Sequence, residues 1–217
     1  MNASARAILW DMDGTLIDSA DYHFESWVDA LRPEGLSLTR AQFLSTFGWK
    51  NDRILRRWIG PDIDPEWIAR IADNKERDYR HLVRTRGLQP LPGADHWLRE
   101  RHEAGWPQAI ASSAPRANIE VALDVLGWDG YFGAIASGDD VRAGKPDPEI
   151  FLVAASRLGV PVHRCIVVED AAAGVEAARR GGMRCIGVGP AAAEAGPDLT
   201  VPSLDRLSAD AFDRLLA

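Results

Sequence analysis

The stretch Ala7-Ile8-Leu9-Trp10-Asp11-Met12-Asp13-Gly14-Thr15 restricts the fold more than any other part of the chain. Its apolar opening reads as a buried strand that stops abruptly on two carboxylates one residue apart. Side chains alternate along a strand, so Asp11 and Asp13 share one site only if the strand ends there. Gly14 supplies that ending, because it takes backbone angles closed to other residues. The result is two carboxylates, a free carbonyl between them and the Thr15 hydroxyl at the carboxyl end of a strand. In an open parallel sheet that edge is where ligands bind. A strand followed by an ordinary acidic turn is the alternative, and the stretch alone leaves both open.

Downstream, residues 19 to 86 show helical periods and no strand pattern. A first helix follows Asp18 or Ser19 as cap, with Phe24, Trp27, Val28 and Leu31 on one face, and stops at Pro33 and Gly35. Thr39 and Gln42 have capping-box spacing for a second helix ending at Gly48. A third carries Ile54, Leu55, Trp58 and Ile59 up to Gly60, and Asp64-Pro65 opens a fourth. On that fourth helix Ile68, Ile71, Tyr79 and Leu82 mark an apolar face, and Lys75 sits among them. Its ammonium either snorkels to the edge or points at an anion between this insert and the main domain.

From Gly93 the pattern changes to helix–strand alternation: helices over 94–104, 115–126, 148–158, 171–180 and 209–216, and strands over 108–112, 132–136, 165–168 and 185–188. Residues 191–195 read as merely alanine-rich. Short connections between alternating elements imply a parallel sheet covered on both faces. The expected architecture is a doubly wound α/β core from 1–17 and 88–217, with a helical cap domain, 18–87, inserted after the first strand.

A net charge of −7 with no basic cluster argues against a nucleic-acid partner. No apolar run approaches the roughly 20 residues that span a bilayer, which argues against a membrane. Met1 to Arg6 shows no signal-peptide pattern. Cys165 and Cys185 each open an apolar run and read as reduced core residues. These features point to the cytoplasm.

Three more strand ends carry chemistry. Ser112-Ser113 precedes the helix opened by Pro115, where hydroxyls and backbone N–H groups either cap the helix or cradle a phosphate. Lys145 lies in the stiff turn Gly144-Lys-Pro-Asp-Pro148, either solvated or aimed at an anion. Glu169 and Asp170 end an apolar strand, and two acids there suit a hard divalent cation as well as a helix cap.

Asp11-Met-Asp-Gly-Thr15, Ser112, Lys145-Pro and Glu169-Asp170, in this order, resemble the four signatures of the haloacid dehalogenase-like (HAD) phosphohydrolases. The helical insert is similar to the small cap of their subfamily I. Within the family, Asp18 to Phe24 with Trp27 is similar to the pattern of the β-phosphoglucomutases and related sugar-phosphate phosphatases, and Lys75 falls where the mutases have a functional cap lysine. The resemblance implies that Asp11 attacks phosphorus and forms an aspartyl-phosphate, with Asp13 as general acid and then base. It implies Mg²⁺ on Asp11, the carbonyl of Asp13, Asp170 and Glu169, with Ser112 and Lys145 on the phosphoryl oxygens. Thr15, His23, Asn51, Lys75, Ser113 and Arg116 are the expected substrate contacts.

The second aspartate, Asp13, argues against dehalogenation. Asn51 stands where the mutases have the arginine that grips a distal phosphate, leaving Lys50 and Arg53 as substitutes. Ala114 and Arg116 stand where their loop has serine and asparagine. A mutase has to retain a bisphosphorylated intermediate, so the reading favours a phosphatase acting on a small phosphorylated metabolite, monomeric or with a dimer as the alternative. A phosphomutase is the second reading. A catalytically silent HAD-fold binding protein and a contact module built on the cap tryptophans are the readings outside enzymology.

Overall fold

The computed structural model describes residues 6–217; the leader question raised by Met1 to Arg6 falls almost wholly outside them. Six parallel strands form one sheet in the order β3-β2-β1-β4-β5-β6. They are β1 (Ala7–Trp10), β2 (Gln108–Ala111), β3 (Ala134–Ala136), β4 (Cys165–Glu169), β5 (Arg184–Val188) and β6 (Leu199–Val201). The central strand β1 is buried along its whole length, between β2 and β4.

The alternation along β1 builds two cores. Ile8 and Trp10 face one side, packed with Trp97 and Leu98 of α5 (Ala94–Glu103), Ile119 and Ala122 of α6 (Arg116–Leu126) and Phe212 of α10 (Ala211–Leu215). Ala7 and Leu9 face the other, under Ile150 and Phe151 of α7 (Glu149–Leu158), Val175 of α8 (Ala172–Arg180) and Ala192 of α9 (Gly189–Glu194). Full burial of a large side chain such as Trp10 contributes roughly 1.5–3 kcal/mol.

Residues 18–87, which follow β1, hold four α-helices and no strand: α1 (Ala20–Leu31), α2 (Arg40–Leu44), α3 (Asn51–Trp58) and α4 (Pro65–Arg86). They enclose an apolar core of their own around Trp27, Phe43, Leu55 and Ile71. Thr39 and Gln42 make the reciprocal capping box, and the Asp64 carboxylate accepts the Glu66 N–H above Pro65. Helix α2 ends at Leu44, not at Gly48, because residues 45–48 continue as turns.

Two elements differ from the sequence expectation. The alanine-rich stretch is the short helix α9, started by Pro190 in its first turn. Residues 199–201 form the edge strand β6, too short for a period-two pattern to register.

Candidate active site

The Asp11–Ile17 turn is tied to its own backbone. Asp11 N–H continues the sheet ladder by donating to the Val168 carbonyl at 2.9 Å. The Met12 carbonyl then accepts from Thr15, Leu16 and Ile17 N–H groups, which reverses the chain within one turn. Gly14 has φ +89°, and a Cβ there would stand 2.4 Å from Asp170 Oδ2, so both conformation and space demand glycine. Met12 is buried in the core, while Asp11 and Asp13 line one cavity.

Asp11 belongs to an alternating line of charge. Lys145 Nζ donates to Asp11 Oδ1 at 2.5 Å and to Glu169 Oε2 at 2.7 Å, all three side chains less than a tenth exposed. Thr15 Oγ1 donates to Asp170 Oδ1 at 3.2 Å. Carboxylate oxygens of Asp11, Glu169 and Asp170 lie within 4.8 Å of one another. Burial, then the neighbouring Glu169 charge, raises the Asp11 carboxyl well above its usual range against the pull of Lys145. The same two causes push Asp170 up to about 7. Burial works to lower the Lys145 ammonium, but Asp11 and Glu169 outweigh it and raise it above its ordinary value. Three crowded hard oxygen donors whose charges repel one another suit a divalent cation of the Mg²⁺ type.

Asp13 belongs to a second line. Its Oδ1 accepts from Ser19 Oγ at 2.6 Å and is 3.0 Å from His23 Nε2. Lys75 Nζ lies 2.8 Å from His23 Nδ1 and 2.9 Å from Glu76 Oε1. An ammonium only donates, which assigns Nδ1 as acceptor and puts the imidazole proton on Nε2, toward Asp13. Burial raises the Asp13 carboxyl, but His23, Ser19 and Lys75 outweigh it and hold it below the usual range. Glu76 is likewise held low, burial being outweighed by Lys75, His23 and Asn51. Lys75 does not snorkel; it is 2% exposed and paired inside. His23 stacks on Tyr79 at 4.0 Å.

The remaining expected contacts divide. Ser112 and Ser113 line the cavity, and Ser112 Oγ accepts the Ala114 N–H at 3.1 Å. Asn51 reaches the cavity, but its Nδ2 donates to Glu76 Oε1 at 2.7 Å. Arg116 turns to the Ile135 carbonyl and Asp140 instead. Sequence reasoning missed Ser19 as a partner of Asp13; it stands at the N-cap position of α1 but makes no cap bond. It also missed Glu76 and Asn118, whose Nδ2 donates to Glu76 Oε2 at 2.5 Å and joins α6 to α4. The cavity is about 40 Å³, walled at its far end by Trp27, Phe43, Phe47 and Trp49.

A family model described as haloacid dehalogenase-like hydrolase matches residues 5–182. The fructose-1-phosphate phosphatase YqaB of Escherichia coli is 32% identical over 187 residues, 83% of this chain and 95% of that protein. SUPPRESSOR OF QUENCHING 1, a chloroplastic protein of Arabidopsis thaliana, is 34% identical over 198 residues; the match takes in 87% of this chain but only 18% of that much longer protein. Among solved structures, β-phosphoglucomutase from Clostridium difficile superposes with a TM-score of 0.87 at 26% identity, covering 98% of this chain and 97% of that one.

Proposed function

The chain belongs to the haloacid dehalogenase-like hydrolases, an enzyme family, and from that membership we propose a phosphatase that removes the single phosphoryl group of a small, sugar-like phosphate ester. In this reading Asp11 is the nucleophile, and the ester oxygen leaves as an aspartyl-phosphate forms on it. Asp13, charged at rest, takes up the proton that the substrate brings as a phosphate monoanion, delivers it to the leaving oxygen, then takes one from the water that hydrolyses the acyl phosphate and returns it to the phosphate product. His23 Nε2–H and Ser19 Oγ–H hold Asp13 for both steps. Lys145 stands beside the Asp11 oxygen and meets the phosphoryl oxygens together with Ser112. Asp11, Glu169 and Asp170, with the carbonyl of Asp13, would hold Mg²⁺, which when bound would supply positive charge against the phosphoryl group. Residues 18–87 would cap a core of 6–17 and 88–217, and the small cavity of about 40 Å³ supports an opening motion that admits substrate.

One observation carries hydrolysis over mutation: every side chain expected to grip a second phosphate is engaged elsewhere. Asn51 is bonded to Glu76, Lys50 to the Val141 carbonyl and Arg53 to the Lys145 carbonyl. The Lys75 charge is already met by Glu76. The distal end offers aromatic faces and hydrogen-bonding groups, which suit a neutral polyol. The likeness to YqaB, named as a fructose-1-phosphate phosphatase, supports the same class.

The test is a phosphorus NMR time course with Mg²⁺ on fructose 1-phosphate and β-glucose 1-phosphate, with and without glucose 1,6-bisphosphate. Growth of inorganic phosphate is the expected result. Bisphosphate-dependent growth of glucose 6-phosphate without phosphate release would overturn it in favour of the mutase.

A further inference from the structure

Two cations of the helical segment reach past the catalytic cavity and into the loop that carries Lys145. Lys50 Nζ donates to the Val141 carbonyl at 2.8 Å, and Arg53 Nη1 donates to the carbonyl of Lys145 itself at 2.7 Å. The Arg53 guanidinium is set by the Trp49 ring, 3.7 Å away. The Lys50 stem crosses Gly144, where a Cβ would stand 3.1 Å from its Cγ and 3.2 Å from its Cδ. A glycine there lets the lysine lie flat against the loop. Together these groups wall a groove of about 280 Å³ along the seam between the segment and the core.

The loop needs such support. Residues 141–148 belong to no helix or strand, so no ladder fixes the backbone of Lys145. On the core side, Glu149 accepts the N–H groups of Arg142 and Ala143, and Asp147 N–H closes a turn onto the Gly144 carbonyl. The carbonyls of Val141 and Lys145 bracket the same arc, and each is taken by a cation of the opposing segment. Bonds with a charged donor are roughly twice as strong as neutral ones.

The geometry points to Lys50 and Arg53 as positioning residues: seating the helical segment on the core sets the 141–145 loop and with it the Lys145 ammonium between Asp11 and Glu169. Neither side chain touches the reacting atoms. Their effect reaches the chemistry through Lys145, and an error of about 1 Å in such a group costs on the order of 10²-fold in rate. The functional part of this inference rests on the phosphatase reading; the structural part does not.

The chain supplies its own probe, since its lysines are Lys50, Lys75 and Lys145 alone. Lys75 is buried in the segment and does not contact the loop, so it serves as an internal control. The Mg²⁺-loaded protein, as wild type, Lys50→Met and Arg53→Met, is labelled with an amine-reactive acylating reagent, and each lysine is followed by mass spectrometry. Methionine keeps the length of the stem and removes the donor. The expected result is a Lys145 labelling rate at least about fivefold higher in each variant with Lys75 unchanged, and kcat/KM about tenfold lower. Unchanged Lys145 labelling overturns the inference, as does an equal rise at Lys75, which would mean general loosening. Faster labelling with unchanged kcat/KM removes the positioning role. A wild type that hydrolyses no phosphate monoester, yet shows the selective rise at Lys145, would defeat the phosphatase reading and leave the seating mechanism standing.

Discussion

Replacing Lys145 by Met tests the charge balance of the site without reference to substrate. Lys145 is the ammonium between Asp11 and Glu169, and the three side chains are 4%, 9% and 2% exposed. Removing one partner of a buried ion pair leaves an uncompensated charge and costs about 3–5 kcal/mol. For a chain of this size each kcal/mol lowers Tm by about 2–4 °C, giving a fall of roughly 6–20 °C. The sign of the pH dependence follows from the carboxyls. Asp11 already lies well above its usual range with Lys145 present, and loss of the ammonium raises it further. An acid with a raised folded-state pKa contributes stability that is present at low pH and lost as pH rises through that value. The Lys145→Met penalty is therefore largest near pH 8 and shrinks as pH falls, where protonation removes the Asp11 charge. Mg²⁺ at pH 8 restores part of the loss by binding only the folded site. Scanning calorimetry of wild type and variant at pH 8 and at pH 5, with Mg²⁺ and with chelator, reads all four corners. A Tm difference that is the same at all four refutes the electrostatic account and makes Lys145 a packing residue.

Three further outcomes follow from the same geometry. Asp11→Asn abolishes phosphate release, by at least about 10³-fold, while circular dichroism and melting show an intact fold; turnover at the wild-type rate would remove Asp11 as nucleophile. Gly14→Ala forces a Cβ to 2.4 Å from Asp170 Oδ2 at φ +89°, so calorimetric titration is expected to show Mg²⁺ affinity at least about tenfold weaker, and equal affinity would mean that Asp170 is not a ligand. Asp170 titrates at about 7, so protons compete with the cation below that pH, and Mg²⁺ affinity in the wild type falls up to about tenfold per unit between pH 7 and pH 5; a flat profile would contradict the crowding of carboxylates.

What the sequence discloses is what local rules encode. The strand end at Asp11, the turn at Gly14 and the order of the four motifs need only alternation and backbone freedom, and the structure brings Asp11, Asp13, Ser112, Lys145, Glu169 and Asp170 together. The helix starts at Thr39 and Asp64 are equally local. Glu76 is different. Its partners Asn51 and Asn118 lie 25 and 42 residues away, and adjacency to Lys75 gives no hint that its carboxylate faces inward. Lys75 shows the limit of periodicity: the apolar face was readable, but whether the ammonium left it depended on His23 and Glu76 being there to receive it. Arg116 shows the converse, because Asp140 claims a side chain whose position beside Ser112 suggested substrate.

The two charged lines explain why one site needs both halves of the molecule. Around Asp11, three carboxylates face one ammonium, which leaves two negative charges in a place meant to receive a phosphate dianion. Such a site repels its substrate until something cancels that excess, and the raised Asp11 and Asp170 carboxyls are protons doing so in part. On the phosphatase reading a divalent cation would cancel it in full and leave the Lys145 ammonium to act on the incoming phosphoryl oxygens. Around Asp13 the balance is reached differently, because Lys75 and Glu76 neutralise each other and Asp13 keeps its charge beside His23. The first line lies wholly on the core, the second crosses from the core to α1 and α4. On the phosphatase reading the carboxylates for a metal would sit on the sheet edge alone, whereas the Asp13 line, and through Lys50 and Arg53 the seat of Lys145, would be complete only with the helical segment in place.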